Sequence, residues 1–316
     1  MQCASKIVRI SVVAAAVLVL GCGTESGQAA DPTIAACANV ASAWCTTMAK
    51  CAPYWTTTNW GNAATCATRR AAVCRARLGA ADTGVTIADT HACAAALGTS
   101  VECEFYTAVD AVAACQPKPG TRKENAACGD NSQCSSGLCQ GLESSACGSC
   151  RARAKVNTIC TDTADCDFGL SCMATQSVKK CTARTQIGGT CDASHVCLAP
   201  AVCLAGKCSG PVGLGQACDS TLKNCDAGQG HYCHEHKGVC TAFAVAQDSE
   251  NCGYFDGDRV ACAYGLTCKL SGGGKGTCAK ITPDGTGCST GSAVACLAGA
   301  VCNAGVCGVI QPNVCQ

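Results

Sequence analysis

The sequence predicts a small disulfide-rich fold: a cysteine-linked helical N-terminal domain followed by a tandem array of six short β-hairpin, four-cysteine modules. Three observations carry this. The chain holds 36 cysteines in 316 residues, about 11%, inside the range that marks a disulfide scaffold. From residue 125 onward the cysteines recur in sets of four with a period of about thirty residues, the mark of a repeat architecture. Before residue 116 the chain is alanine-rich, and its apolar residues follow a helical period instead.

The repeat defines its own register. The sets are Cys128, Cys134, Cys139 and Cys150; Cys160, Cys166, Cys172 and Cys181; Cys191, Cys197, Cys203 and Cys208; Cys218, Cys225, Cys233 and Cys240; Cys252, Cys262, Cys268 and Cys278; Cys288, Cys296, Cys302 and Cys307. Three residues before each first cysteine stand Asn125, Asn157, Gly188, Gly215, Ser249 and Gly285. Glycine also recurs before the third cysteine (Gly169, Gly230, Gly265, Gly299) and before the fourth (Gly148, Gly206, Gly238, Gly276, Gly305). Glycine and asparagine tolerate positive φ, so all these positions read as tight turns. The run ending at the third cysteine reads as one arm of a hairpin whose other arm ends at the fourth. A unit of this size buries too little apolar surface to offset its chain entropy, so the cysteines must supply the core as disulfides. Three connectivities are open within each set. Cys147 and Cys315 fall outside the register; pairing them with each other requires the array to fold back on itself, whereas an extended array requires nearer partners.

The helical domain is read from caps and periodicity. Asp31-Pro32 is an N-cap followed by proline at the first helical position. Cys37, Val40, Ala41, Trp44, Met48 and Cys51 then share one face until Pro53. A second helix is expected over Ala63–Leu78, ended by Gly79, although Arg70 and Arg77 interrupt its apolar face beside Cys66 and Val73. A third runs from Thr86 or Asp89 to Leu97, ended by Gly98, and a fourth from Val101 to Cys115. Eight cysteines from Cys37 to Cys115 cross-link these helices. The residues at 116–124, with Pro117, Pro119 and Gly120, read as a linker to the array at 125–316.

Ahead of the helices, Lys6 and Arg9 precede an apolar run, Ile10–Leu20, that is too short to span a bilayer, which takes about 20 residues. Residues 1–21 therefore read as a signal peptide and 22–30 as a polar tether. Val19-Leu20-Gly21-Cys22 resembles the lipobox of bacterial lipoproteins. That resemblance implies cleavage before Cys22, a diacylglycerol thioether on its sulfur, and, with Gly23 next, sorting to the outer membrane. Loss of Cys3 and lipidation of Cys22 leave 34 cysteines, an even number that can all pair. Removing Lys6 and Arg9 leaves 21 basic against 22 acidic residues. A near-neutral chain without a basic stripe gives no electrostatic reason to bind nucleic acid.

The modules resemble the Dickkopf N-terminal cysteine-rich domain and EGF-like knots, most clearly in Cys134-Ser135-Ser136-Gly137-Leu138-Cys139 and Cys166-Asp167-Phe168-Gly169-Leu170-Ser171-Cys172. The whole layout resembles a family of uncharacterised cysteine-rich bacterial lipoproteins. The resemblance implies an anchored, extracytoplasmic protein of the cell envelope and no particular activity.

Candidate chemistry is sparse. Gly287-Cys288-Ser289-Thr290-Gly291 matches the G-x-S-x-G pattern, but its second residue belongs to a module and no histidine follows, so it is not read as a hydrolase elbow. Cys147-Gly148-Ser149-Cys150 has C-x-x-C spacing without a thioredoxin-like context and reads as structural. Asp256-Gly257-Asp258 supplies too few oxygens for a calcium loop, and Gly272-Gly273-Gly274-Lys275-Gly276 has the wrong spacing for a phosphate loop. His231, His234 and His236 form the one dense set of metal-ligand types; in an extended strand His234 and His236 point to one side and offer two nitrogens to zinc, copper or nickel. Tyr54, Trp55 and Trp60, in the connection between the first two helices, are either an aromatic surface for sugar, lipid or protein, or part of the helical core. The sequence thus predicts a non-enzymatic interaction or structural protein without a cofactor, membrane-attached through lipid and open to an extracellular protein or glycan partner. The second reading is a binding module for a metal ion, glycan or other small ligand.

Overall fold

The computed structural model describes residues 31–100, 103, 112–142, 147–175, 178–192, 195–219, 221, 224–288, 296–303 and 305–315. The leader, Cys22 and the tether lie outside the described residues. Four helices come first: α1 (Pro32–Cys51), α2 (Pro53–Trp60), α3 (Ala63–Leu78) and α4 (Ile87–Ser100). Their starts follow local chemistry. The Asp31 carboxylate accepts from Thr33 N–H and Pro32 opens α1, and the Asn62 side-chain oxygen accepts from Thr65 N–H at the start of α3. Ahead of α4, Thr86 and Asp89 satisfy each other's backbone N–H groups, the reciprocal arrangement of a capping box.

Three expectations change. The connection holding Tyr54, Trp55 and Trp60 is itself the helix α2: Ala52 breaks α1 at φ −138°, and Pro53 then starts a new helix at its first position, where its missing N–H costs nothing. The helix expected to end at Gly98 runs on to Ser100, because a glycine within a helix is only mildly unfavourable. Most of the expected fourth helix lies outside the described residues; its last turn, Ala113–Cys115, is a 3-10 turn.

Four disulfides tie the helices: Cys37–Cys74 and Cys45–Cys66 join α1 to α3, Cys51–Cys103 joins α1 to the chain after α4, and Cys93–Cys115 joins α4 to the 3-10 turn. The buried side chains are small, chiefly Ala36, Cys37, Ala41 and Cys45, with Met48 and Trp60 as the larger fillers. Covalent links therefore substitute for a bulky apolar core.

Beyond residue 120 the chain forms small β-sheets. In every cysteine set the first pairs with the third and the second with the fourth. The third and fourth cysteines face each other across the hairpin, as Cys139↔Cys150, Cys172↔Cys181, Cys203↔Cys208, Cys233↔Cys240, Cys268↔Cys278 and Cys302↔Cys307. Facing one another they do not bond; each reaches instead to a segment outside the hairpin, so both disulfides fasten flanking chain to it. Each loop closed spans 11–16 residues, which constrains the unfolded chain by about 2–3 kcal/mol apiece.

The residue three before each first cysteine donates its N–H to the carbonyl of the fourth at 2.8 Å: Asn125 to Cys150, Asn157 to Cys181, Gly188 to Cys208, Gly215 to Cys240, Ser249 to Cys278 and Gly285 to Cys307. All six of these residues have φ between 66° and 84°, so the turn expected there forms. Before the fourth cysteine the expectation holds only in part. Gly206, Gly238 and Gly305 have positive φ. Gly148 and Gly276 lie in strands, where a Cβ would fall 2.2 Å from the Gln140 carbonyl oxygen and 2.4 Å from that of Lys269. There glycine is needed for close approach, not for a turn. The structure adds a further register: the residue six before each first cysteine pairs in parallel with the second cysteine, as in Arg122↔Cys134, Thr185↔Cys197 and Ala246↔Cys262.

Residues 31–316 form one compact unit. Cys147 and Cys315 pair with each other across 168 residues, so the cysteine-rich part folds back on itself. The closure is reinforced by Arg122, whose guanidinium donates to the carbonyls of Ala127 and Cys315 and to Asp82. Asn313 bonds Gly79 O and Ala81 N at the end of α3. The segment 116–124 is held in place: Gly120 N–H donates to Cys134 O at 2.9 Å, and a Cβ on Gly84 would fall 1.9 Å from the Pro119 carbonyl oxygen. Among the described residues no helix is long and apolar enough to cross a membrane.

Candidate binding site

The two residue groups singled out in the sequence meet in one aromatic ladder. Tyr54 of α2 stacks on Phe243 at 5.3 Å, Phe243 tilts onto Tyr232 at 4.9 Å, and Tyr232 stacks on His234 at 6.2 Å. His234 in turn lies edge-on to His236 at 6.0 Å. Burial pushes the Tyr54 hydroxyl up to about 12. Gly230 makes the contact possible, since a Cβ there would fall 2.5 Å from Tyr54 Cγ.

His234 is 3% exposed and both its ring nitrogens are engaged. Nδ1 accepts from His236 N–H at 3.3 Å, and Nε2 lies 3.3 Å from Asp258 Oδ1. The same Asp258 oxygen accepts from Tyr232 OH, which accepts from Arg259 N–H. His231 and His234 stand three apart in the strand His231–His234, so alternation puts them on opposite faces. The three imidazoles therefore do not converge, and His234 fastens the fourth cysteine set to the fifth. A Cβ on Gly257 would fall 2.6 Å from His234 Cε1.

Trp60 is buried against Cys45, Cys66 and Ala298, with its ring 6.4 Å from Trp44 and nearly perpendicular to it. Trp55 remains 43% exposed. Of the three aromatic candidates, then, two serve contacts between the helices and the sheets and one faces solvent.

The arginines of α3 divide the same way. Arg69 forms a two-pronged ion pair with Asp284 at 3.0 and 3.1 Å and donates to the Ala298 carbonyl. Arg77 pairs with Asp130 at 3.0 Å. Burial opposes ionisation of Asp130, but the Arg77 charge and hydrogen bonds from Ser132 outweigh it and hold the carboxyl below its usual range. Arg70 is different. It lines a cavity of about 160 Å³ between α1, α3, α4 and the segment 114–118, together with Trp44, Val73, Val85 and Leu97. Its guanidinium lies 4.2 Å from the centre of the Trp44 ring. Burial, and secondarily the like charge of Arg77, pulls it down to about 10. The signal for both Arg70 and Arg77 was present in the sequence as two charges on the apolar face of a helix; their roles were not.

No protein-family model, no curated protein and no solved structure matches the chain.

Proposed function

We propose that the chain is a lipid-anchored, extracytoplasmic, non-catalytic interaction or structural protein of the bacterial cell envelope, in which six four-cysteine modules form a tandem array laid back onto the helical domain. The observation that carries the reading is complete oxidation: the 17 disulfides take up every cysteine from Cys37 to Cys315. Such a set is what an oxidising, extracytoplasmic compartment favours. The array reading is supported by the common first-to-third, second-to-fourth pairing, and the resemblance to Dickkopf-type and EGF-like knots fits it. The two motifs closest to catalytic patterns are committed to scaffold: Cys288 is bonded to Cys302, while Cys147 and Cys150 belong to separate disulfides. Exposed Trp55 is the aromatic left for a protein or glycan partner.

The anchor is tested directly. Cys22→Ala should move the protein from the membrane fraction to the soluble extracytoplasmic fraction, and the intact mass of the wild type should include the acyl groups. A variant that stays membrane-bound, with no acyl mass on the wild type, defeats the anchor.

A second reading, a binding module for a small ligand, is favoured by the cavity in the helical domain. The metal version is weaker, because the hydrogen bonds of His234 leave neither of its nitrogens free.

A further inference from the structure

Arg70 places a positive charge beside the apolar walls of this cavity, and among the described residues it forms no ion pair. Among the described residues its guanidinium meets neither a carboxylate nor a carbonyl, and the Trp44 ring is its one close partner. The cations around it are all satisfied: Arg69 by Asp284, Arg77 by Asp130, and Lys118 at the rim by Asp89. A desolvated cation without an anion is unfavourable, and stacking on an indole face offsets only part of that. A helix that needed nothing more than packing at this position would carry an apolar residue, as it does at Val73. Unpaired among the described residues, the arginine is suited to receive an anion, and the apolar walls beside it favour an anion with an apolar body.

We propose that this cavity binds a small monocarboxylate with an apolar body, the carboxylate on the Arg70 guanidinium and the body against Val73, Val85 and Leu97. The planar guanidinium fork matches a carboxylate through two parallel hydrogen bonds. One uncompensated charge selects a monoanion, because a dianion would find Arg77 and Lys118 already paired. The volume of about 160 Å³ is close to that of an apolar cavity known to take up benzene, about 150 Å³, so the body is of the order of a phenyl ring or a short alkyl chain. This rests on the binding-module reading and is independent of the anchor.

The test is calorimetric titration of the disulfide-intact protein with benzoate and octanoate at pH 7, with benzyl alcohol and phenyl phosphate as comparison ligands. Saturable binding at one site is expected for both carboxylates. Arg70→Gln should weaken it roughly 10- to 100-fold, the usual loss for a charge-assisted pair, and benzyl alcohol should bind more weakly than benzoate by a similar factor. Ligand-free Arg70→Met should melt no lower than the wild type, since it removes an unpaired charge; a lower midpoint would mark the arginine as structural and overturn the proposal. Tighter binding of phenyl phosphate than of benzoate would overturn the single-charge argument. Unchanged octanoate affinity in Arg70→Gln would defeat the carboxylate assignment while leaving a binding module in place. Absence of any saturable binding at millimolar concentration would defeat both.

Discussion

Asp130 shows how one side chain carries a contact between the helices and the sheets. It caps the turn Asn131–Gln133, accepting from Ser132 N–H, and it faces Arg77 from α3. Beside it Gln133 is fully buried, with its side chain spanning from Gly129 N–H to the Ala81 carbonyl. Because the folded Asp130 carboxyl ionises below the unfolded value of about 3.9, its contribution to stability is present above that pH. It is lost as the pH falls through the lowered folded value. Asp130→Asn should therefore destabilise by about 1–2 kcal/mol at neutral pH, and its difference from the wild type should shrink below about pH 4. Thermal midpoints of both proteins from pH 7 to pH 2 check this; a difference that stays constant into acid would show that the charge is not what holds the contact.

At the scale of elements, α2 is the piece that joins the helical domain to the later cysteine sets. Its first turn supplies Tyr54 to Phe243, its last residue, Trp60, packs on Ala298, and Gly61 just beyond it lies against the Tyr264 ring. Eight residues are too few to be stable as an isolated helix, so α2 exists because both its faces are used. Tyr54→Ala should cost about 1–3 kcal/mol and should speed amide exchange in residues 226–246 while leaving α1 and α3 protected. Trp55→Ala, at an exposed site on the same helix, should change neither. Equal effects from the two substitutions would mean that the ladder does not hold this contact.

For the whole molecule the decisive element is the Cys147–Cys315 bond. It joins the first cysteine set to the end of the described chain, where Gly129 packs so closely on Pro312 that a Cβ would fall 2.6 Å from its Cα. Closing so long a loop would by itself constrain the unfolded chain strongly. Here other cross-links already shorten the loop, so the double variant Cys147→Ser with Cys315→Ser should lose about 2–4 kcal/mol. Limited proteolysis should then release the segment after Cys307 from an otherwise protected protein, with helical circular dichroism unchanged. If the variant keeps the wild-type midpoint and cleavage pattern, Arg122 and Asn313 hold the closure without the covalent bond.

The sequence by itself determined the disulfide-rich class, the cysteine register, the hairpin arms and the positive-φ turns three residues before each first cysteine, because each depends on residues within one thirty-residue unit, a scale at which spacing and glycine chemistry suffice. It also determined α1 and α3 through their caps. Only the tertiary structure decided which cysteines bond, since three connectivities satisfy the same spacing and the choice depends on which segments flank each hairpin. Tertiary contacts also made a helix of Pro53–Trp60 and set His234 and His236 in a ladder with Tyr54. They paired Arg69 and Arg77 with acids more than fifty residues away. Arg70 was legible as a charge on the wrong face of α3, but its meaning depends on the cavity that α1, α3 and α4 enclose together, and no single stretch of chain contains that.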